Sequence, residues 1–526
     1  MKVQSLKFKV QSLFNQIPII SILLLSAFLR LYRIRDYMTF LGDEGRDAIV
    51  VYNILHGKLT LLGPTASVGG FFLGPIYYYF MAVFTFIFNY DPVGPSVMVA
   101  LFGIATVWLI YKISNDFFGK YAAIVTALLY AISPVVVAYS RSSWNPNPLP
   151  FFSLLVLYLS YKALITNKKY LLLISGFFLG IAIQLHYLAL FLGVVLGVYI
   201  LLSNIKSVRK LPKLISELVV QYLLIFVGFL IGWLPFLAFE FRHGFPNIRS
   251  IFNFVFHSGQ TGENNQFFAI IYDVFFRLFG RLVAAFPSPE RVDFNNPMFS
   301  IWYLFILFLG ISSLIILTFN VYKSLKKNSN EYNKYLLLFS WIFFGVLLFG
   351  FYKKAIYEYY FGFMFPLPFM LVGLSISELK KKLPKLGKIV IPILVGVLVL
   401  INIQGVPFRY EPNRQLNQME QVAKFVFEKT GGKPFNFALI TGSNSDYAYR
   451  YFFTVWGKPP VAIENSQKDP LRKSVTDQLL VVCESLPCEP VGHSLWEIAG
   501  FGRTEIVGEW NISVVKVYKL KHYKGK

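Results

Sequence analysis

Apolar runs separated by short polar breaks dominate the chain from residue 17 to residue 404. A bilayer core takes about 20 apolar residues as a helix. Eleven runs approach that length: 17–34, 95–113, 121–139, 149–165, two within 170–203, 219–239, 300–320, 335–351, 358–378 and 389–404. The pattern predicts an α-helical multi-span membrane protein. Lysine and arginine collect in alternate breaks: Lys2, Lys7 and Lys9 before the first run, then Lys112 and Lys120, Lys168 and Lys169, "KSVRKLPK", Lys323 with Lys326 and Lys327, and "KKKLPKLGK". The positive-inside bias then predicts a cytoplasmic N-terminus on an uncleaved signal anchor, and a last segment outside.

One further apolar stretch breaks this alternation if it spans. Residues 71–88, "FFLGPIYYYFMAVFTFIF", carry Gly74-Pro75 and the triplet Tyr77, Tyr78, Tyr79. Tyrosines gather at membrane–water interfaces, so the stretch is expected to be an interfacial or re-entrant helix.

After residue 404 the pattern changes. Strand-like runs "FNFALI", "DQLLVV" and "ISVVKVYKL" flank turn signals such as "TGGKP", and helical periodicity covers 415–429. The expected organisation is a transmembrane catalytic domain over 1–404 and a small α/β extracytoplasmic domain over 405–526. Cys483 and Cys488 lie in the latter, where an oxidising compartment permits a disulfide; two free thiols are the alternative.

Composition agrees with the membrane reading. Of 526 residues, 56% are hydrophobic and 15% charged, with a mean hydropathy of +0.55. The net charge of +23 would point a soluble protein toward nucleic acid. Here the cations are distributed among membrane loops, which excludes that reading. The glycine-rich "SVGGFFLG" lacks the GxxxxGK[ST] spacing of a nucleotide-binding loop.

Candidate chemistry begins at "LGDEGRD", just beyond the first run. Asp43 and Glu44 open a helical pattern that ends near Gly57. Carboxylates are favourable at a helix start, and a solvated turn paired with Arg46 is the plain reading. The functional reading draws on polar residues expected on the same external face: Arg141, Trp144, Asn145, Asn147, Gln184, His186, Glu240, His243, Lys353, Lys354 and Glu358. A carboxylate can take the proton of an acceptor hydroxyl, and cations can stabilise a departing phosphate. Arg141, Lys353 and Lys354 equally suit snorkelling to lipid headgroups, and His186 among apolar neighbours suits a structural role.

In order and spacing, "GDEGRDA", then "LGPIYYYF", then "YEYYFGFMFPLP" resemble the GT-C superfamily of membrane glycosyltransferases. The resemblance runs to the protein O-mannosyltransferase and lipid A aminoarabinose transferase group (families 39 and 83), and it covers residues 17–205 best. It implies a GT-C fold and a polyprenyl-phosphate-linked sugar donor. It also implies inverting transfer to an extracytoplasmic protein, lipid or glycan, with Asp43 as general base supported by Glu44. Arg46, Arg141, Asn145, Asn147, His186, Tyr187, Lys353, Lys354, Tyr357 and Glu358 would bind substrate or lipid phosphate. Asn145 and Asn147 stand where relatives often carry an acidic residue, so no cofactor is assigned and a divalent metal stays open. Membrane lipids are expected partners. The rival readings are a lipid or sugar transporter or flippase, and a non-catalytic cell-envelope scaffold. The catalytic reading expects Asp43, Glu44 and His186 to converge with a cation on one cavity, and expects Asp43 not to be locked in a bidentate pair with Arg46.

Overall fold

The computed structural model describes residues 2–208, 210–262, 265–327, 329 and 331–525, with backbone alone for 2–15. The side chains of Lys2, Lys7 and Lys9, used above for orientation, therefore lie outside the described residues, as does Arg209 within "KSVRKLPK". The chain divides into two compact units. One comprises residues 1–32, 60–77 and 99–411; the other comprises 33–59, 78–98 and 412–526.

The first unit is helical, and every predicted run lies on one or more helices. Among the described residues, seven helices are long and apolar enough to cross a bilayer, or eight if one bent pair is a single span. They include Val93–Phe118, Leu149–Thr166, Leu211–Gly232, Pro297–Lys326 and Pro384–Gln404. The runs at 17–34, 121–139 and the first within 170–203 give the shorter helices Gln16–Leu31, Lys120–Ile132 and Tyr170–Leu185. Several expected spans are not continuous, and the 219–239 run is split at Trp233 between Leu211–Gly232 and Leu234–His243. The 121–139 run breaks at Ser133, and a second helix starts at Pro134, because proline has no N–H to continue the ladder. The 358–378 run bends by 51° between Glu358–Met364 and Pro366–Lys382. The Ile76–Ile87 helix has 12 residues, short of the roughly 20 needed to span.

Glycines fix one helix pair. Tyr170–Leu185 carries Gly176 and Gly180, Leu211–Gly232 carries Gly228 and Gly232, and each pair is four residues apart. A Cβ at Gly228 would sit 2.0 Å from the Leu173 carbonyl oxygen, and one at Gly176 would sit 2.1 Å from that of Ile225. The backbones touch, the arrangement small-xxx-small spacing permits in apolar surroundings.

The second unit has a four-stranded sheet: β1 (Asn436–Ile440), β2 (Leu479–Cys483), β3 (Thr504–Ile512) and β4 (Val515–His522), in the order β1-β2-β4-β3. β1 and β2 are parallel, and the other pairings are antiparallel. The helix expected at 415–429 spans Gln415–Lys429. The run "ISVVKVYKL" is not one strand. It turns at Ser513, whose φ is +53°, between the end of β3 and β4, and most of β3 escaped the sequence pattern because its residues are largely exposed. Met38, Phe40 and Ala48 join Leu416, Val422, Phe437, Tyr449, Leu480 and Val517 in one buried cluster. Cys483 and Cys488 are disulfide-bonded, with Cα atoms 6.2 Å apart.

Candidate functional site

Asp43 and Glu44 fall in the first turn of the Gly42–Leu55 helix, which ends at His56 before Gly57 at φ +85°. Glu44 turns back on its own helix start: its Oε2 accepts from Leu41 N at 3.0 Å. Burial pushes its pKa up to about 7, against the pull of that backbone bond, with Asp43 and Asp47 adding to the rise. Asp43 points outward with its side chain 65% exposed, and Oδ1 accepts one hydrogen bond from Arg46 Nη1 at 2.9 Å. The pair is not bidentate.

The sequence reading passed over Asp47. It is 2% exposed. Arg46 donates to its Oδ1 from both Nε, at 3.0 Å, and Nη2, at 2.9 Å, and Tyr78 donates its hydroxyl to the same oxygen at 3.0 Å. Burial raises the Asp47 pKa to about 6, with Arg46 and Tyr78 pulling it down. Helical spacing gives no signal for it, because at four residues Asp47 shares a helix face with Asp43.

The first unit holds the other predicted residues, and it brings some of them together. His186 is buried, stacks on Tyr187 with ring centres 4.7 Å apart, and meets Tyr359 at 5.7 Å and Tyr360 at 5.3 Å. Its Nδ1 accepts from Leu188 N at 3.3 Å. Trp144 packs on Tyr359 at 4.3 Å, and Tyr357 stacks on the same ring at 5.8 Å. The Tyr187 and Tyr352 hydroxyls are 3.0 Å apart.

Several other predicted residues hydrogen-bond to the protein's own backbone or side chains. Arg141 is buried and donates from Nη1 to the Leu29 carbonyl at 2.6 Å and from Nη2 to that of Tyr32 at 2.8 Å. Asn145 donates to the Leu185 carbonyl at 2.6 Å, and Asn147 to that of Ser142 at 2.8 Å. Gln184 bridges Ile76 N and the Gly232 carbonyl. Glu240 is fully buried and accepts from the Asn247 side chain at 2.7 Å. His243 is exposed. Glu358 accepts from Arg281 Nε at 3.1 Å, and Arg277 Nη1 donates to the Ile356 carbonyl at 2.8 Å. Neither arginine was singled out from sequence, since both follow an apolar helical stretch. Lys353 and Lys354 are exposed and make no ion pair among the described residues.

An apolar cavity of about 580 Å³ lies within the same unit. Phe71, Leu73, Tyr187, Trp233, Phe236 and Phe254 are among its walls. Among the described residues, no group of three or more His, Cys, Asp or Glu side chains is placed to hold a metal ion.

Residues 73–233 match the family model "Dolichyl-phosphate-mannose-protein mannosyltransferase". ArnT from Cupriavidus metallidurans, solved bound to undecaprenyl phosphate, superposes over 95% of this chain and 97% of its own, at a TM-score of 0.61 and 12% identity. The fold is GT-C. A second GT-C neighbour, the Archaeoglobus fulgidus oligosaccharyltransferase solved with Zn and sulfate, superposes over 88% of this chain and 67% of its own, at a TM-score of 0.54 and 13% identity. Two Bacillus subtilis (strain 168) relatives align locally with this chain. The "Putative mannosyltransferase YkcB" is 29% identical over 148 residues, 28% of this chain and 21% of the relative. The "Putative mannosyltransferase YycA" is 28% identical over 159 residues, 30% and 23% respectively. The alignments thus span between a fifth and a quarter of those relatives' length.

Proposed function

We propose that this integral membrane protein is a glycosyltransferase that moves a sugar from a polyprenyl-phosphate-linked donor to an extracytoplasmic acceptor, with inversion at the anomeric carbon. The observation that carries the reading is the Asp43 carboxylate, held on one oxygen by Arg46 and otherwise open at the start of its helix. A general base needs such an accessible lone pair. Asp43 accepts the acceptor hydroxyl's proton while that oxygen attacks the anomeric carbon. The bond from that carbon to the phosphate oxygen breaks, and polyprenyl phosphate leaves with the electron pair.

Two further observations support the donor class. The aromatic-walled cavity suits an isoprenoid chain by its apolar lining. ArnT, which shares the fold, was solved with undecaprenyl phosphate. Lys353 and Lys354 are exposed cations available to a phosphate; Arg141, whose terminal nitrogens hold two backbone carbonyls, is assigned to packing. In this reading residues 405–526 are extracytoplasmic, as the cation pattern of the loops requires.

The test is transfer by the purified, reconstituted protein from a synthetic polyprenyl-phosphate sugar, together with mass spectrometry of lipid that co-purifies. A polyprenyl-phosphate species in the preparation and inverted product support the reading. Sugar or lipid translocation without transfer supports a transporter instead.

A further inference from the structure

The Gly42–Leu55 helix leaves its first backbone N–H groups without partners inside the helix, as every helix does. No side chain from its own neighbourhood caps Gly42 N. That donor instead reaches Asn444 Oδ1, at 3.0 Å, across 402 positions of sequence. The same oxygen accepts from Ser445 N at 2.8 Å. Asn444 is in turn held from its other end: Nδ2 donates to Glu484 Oε1 and Oε2 at 3.1 and 3.2 Å. Tyr449, fully buried, donates its hydroxyl to Glu484 Oε1 at 2.8 Å. Glu484 follows directly on Cys483, and the disulfide to Cys488 closes the loop that carries it. The contact is also tight. A Cβ at Gly42 would lie 1.9 Å from Ser445 Oγ, and one at Gly45 would lie 2.4 Å from Ala448 N. Thus the turn that bears Asp43 is seated on the 444–448 segment, and its register is set by one amide oriented by one carboxylate.

We propose that Asn444 and Glu484 are positioning residues for Asp43. They fix the helix start from which its carboxylate projects, so that the C-terminal sheet region sets the geometry of the base. This inference rests on the reading of Asp43 as the base. It assigns a catalytic consequence to residues that touch no substrate: misplacing a base by a fraction of an ångström lowers turnover more than it lowers binding.

The experiment compares Asn444→Ala, Glu484→Ala, Glu484→Gln, the Asn444→Ala/Glu484→Ala double variant and Asp43→Asn, all as full-length protein in liposomes with a polyprenyl-phosphate sugar. Asn436→Ala is the control. It removes a buried amide of the same unit, one that bonds the Val461 and Ser474 carbonyls rather than the Gly42 N–H. Asn444→Ala is expected to lower kcat about five- to tenfold, the worth of one hydrogen bond, with KM for the donor within about twofold. Glu484→Gln, which keeps an acceptor oxygen, is expected to fall between wild type and Glu484→Ala. The double variant is expected to be no worse than the poorer single one, because both act through one chain of bonds. Asn436→Ala is expected to lower thermal stability and leave kcat unchanged below its melting temperature. Wild-type kcat for Asn444→Ala beside an inactive Asp43→Asn overturns this inference alone. Full activity of Asp43→Asn overturns the reading of the base beneath it. Equal kcat losses in Asn444→Ala and Asn436→Ala, tracking their melting temperatures, assign Asn444 to folding and also overturn the inference.

Discussion

Arg46 commits two N–H donors to Asp47 Oδ1, at 3.0 and 2.9 Å, and a single one to Asp43, at 2.9 Å. The division separates the roles of two carboxylates one helical turn apart. Asp47 is nearly inaccessible and saturated on Oδ1; Asp43 is largely exposed and only partly engaged. An arginine near a base can disable it by pairing with both oxygens. Here the buried partner takes most of the fork.

If Asp43 is the base, its Asn variant keeps the shape and loses the proton acceptor. General-base catalysis contributes about 10²–10⁴ in rate. Asp43→Asn is therefore expected to lower kcat by roughly 100-fold or more while donor binding persists. Single-turnover kinetics with a radiolabelled donor check both halves, and a wild-type rate would remove Asp43 from the mechanism.

Asp47 should behave as a structural anchor. Truncating one member of a buried ion pair leaves the other charge uncompensated, which costs about 3–5 kcal/mol in buried settings. Arg46 is a third exposed, so Asp47→Ala is expected near the lower end, about 3 kcal/mol. Asp47→Asn, which can still accept from Tyr78, should cost less. Denaturant midpoints of the purified protein measure the difference; an Asp47→Ala midpoint equal to wild type would show that the pair contributes nothing.

Glu44 predicts a pH dependence. Its carboxyl pKa is raised from 4.5 to about 7 by burial. The folded chain then binds more protons at this site than the unfolded chain between those values. Its contribution to stability is thus present below about 4.5 and declines as pH rises through 7. Asp47, raised from 3.8 to about 6, acts in the same direction over a lower window. Glu44→Gln should flatten the stability profile between pH 5 and 8 (roughly the window those shifts define). A melting-temperature series across that range tests it, and an unchanged slope in the variant would exclude Glu44 as the titrating group.

The disulfide closes a short loop, with a sequence separation of 5. Loop-closure entropy for so few residues amounts to about 2 kcal/mol. The Cys483→Ser/Cys488→Ser variant is expected to lose about that much stability. Reductant should lower the wild-type midpoint and leave the variant's unchanged. Identical midpoints for the two proteins under oxidising conditions would show that the crosslink is energetically silent.

Much of the membrane architecture was legible in the sequence because it is local. A run of apolar side chains must leave water whatever else the chain does, so the runs at 95–113, 149–165, 300–320 and 389–404 lie within helices that can be recognised one at a time. The same holds for Gln415–Lys429, whose apolar positions recur at helical spacing, and for Asp43 and Glu44 at a helix start. What the sequence could not decide is which groups are buried together. Nothing local distinguishes Asp47 from Asp43; one is saturated and the other open because Tyr78, from a different helix, lies over the former. Residues 33–59 and 78–98 join 412–526 in one unit through contacts hundreds of positions apart. Arg141 donates to the carbonyls of Leu29 and Tyr32, 112 and 109 positions away in sequence. A side chain's type is written in the sequence. Its availability depends on the partners that long-range packing brings to it, and only the tertiary structure determines those.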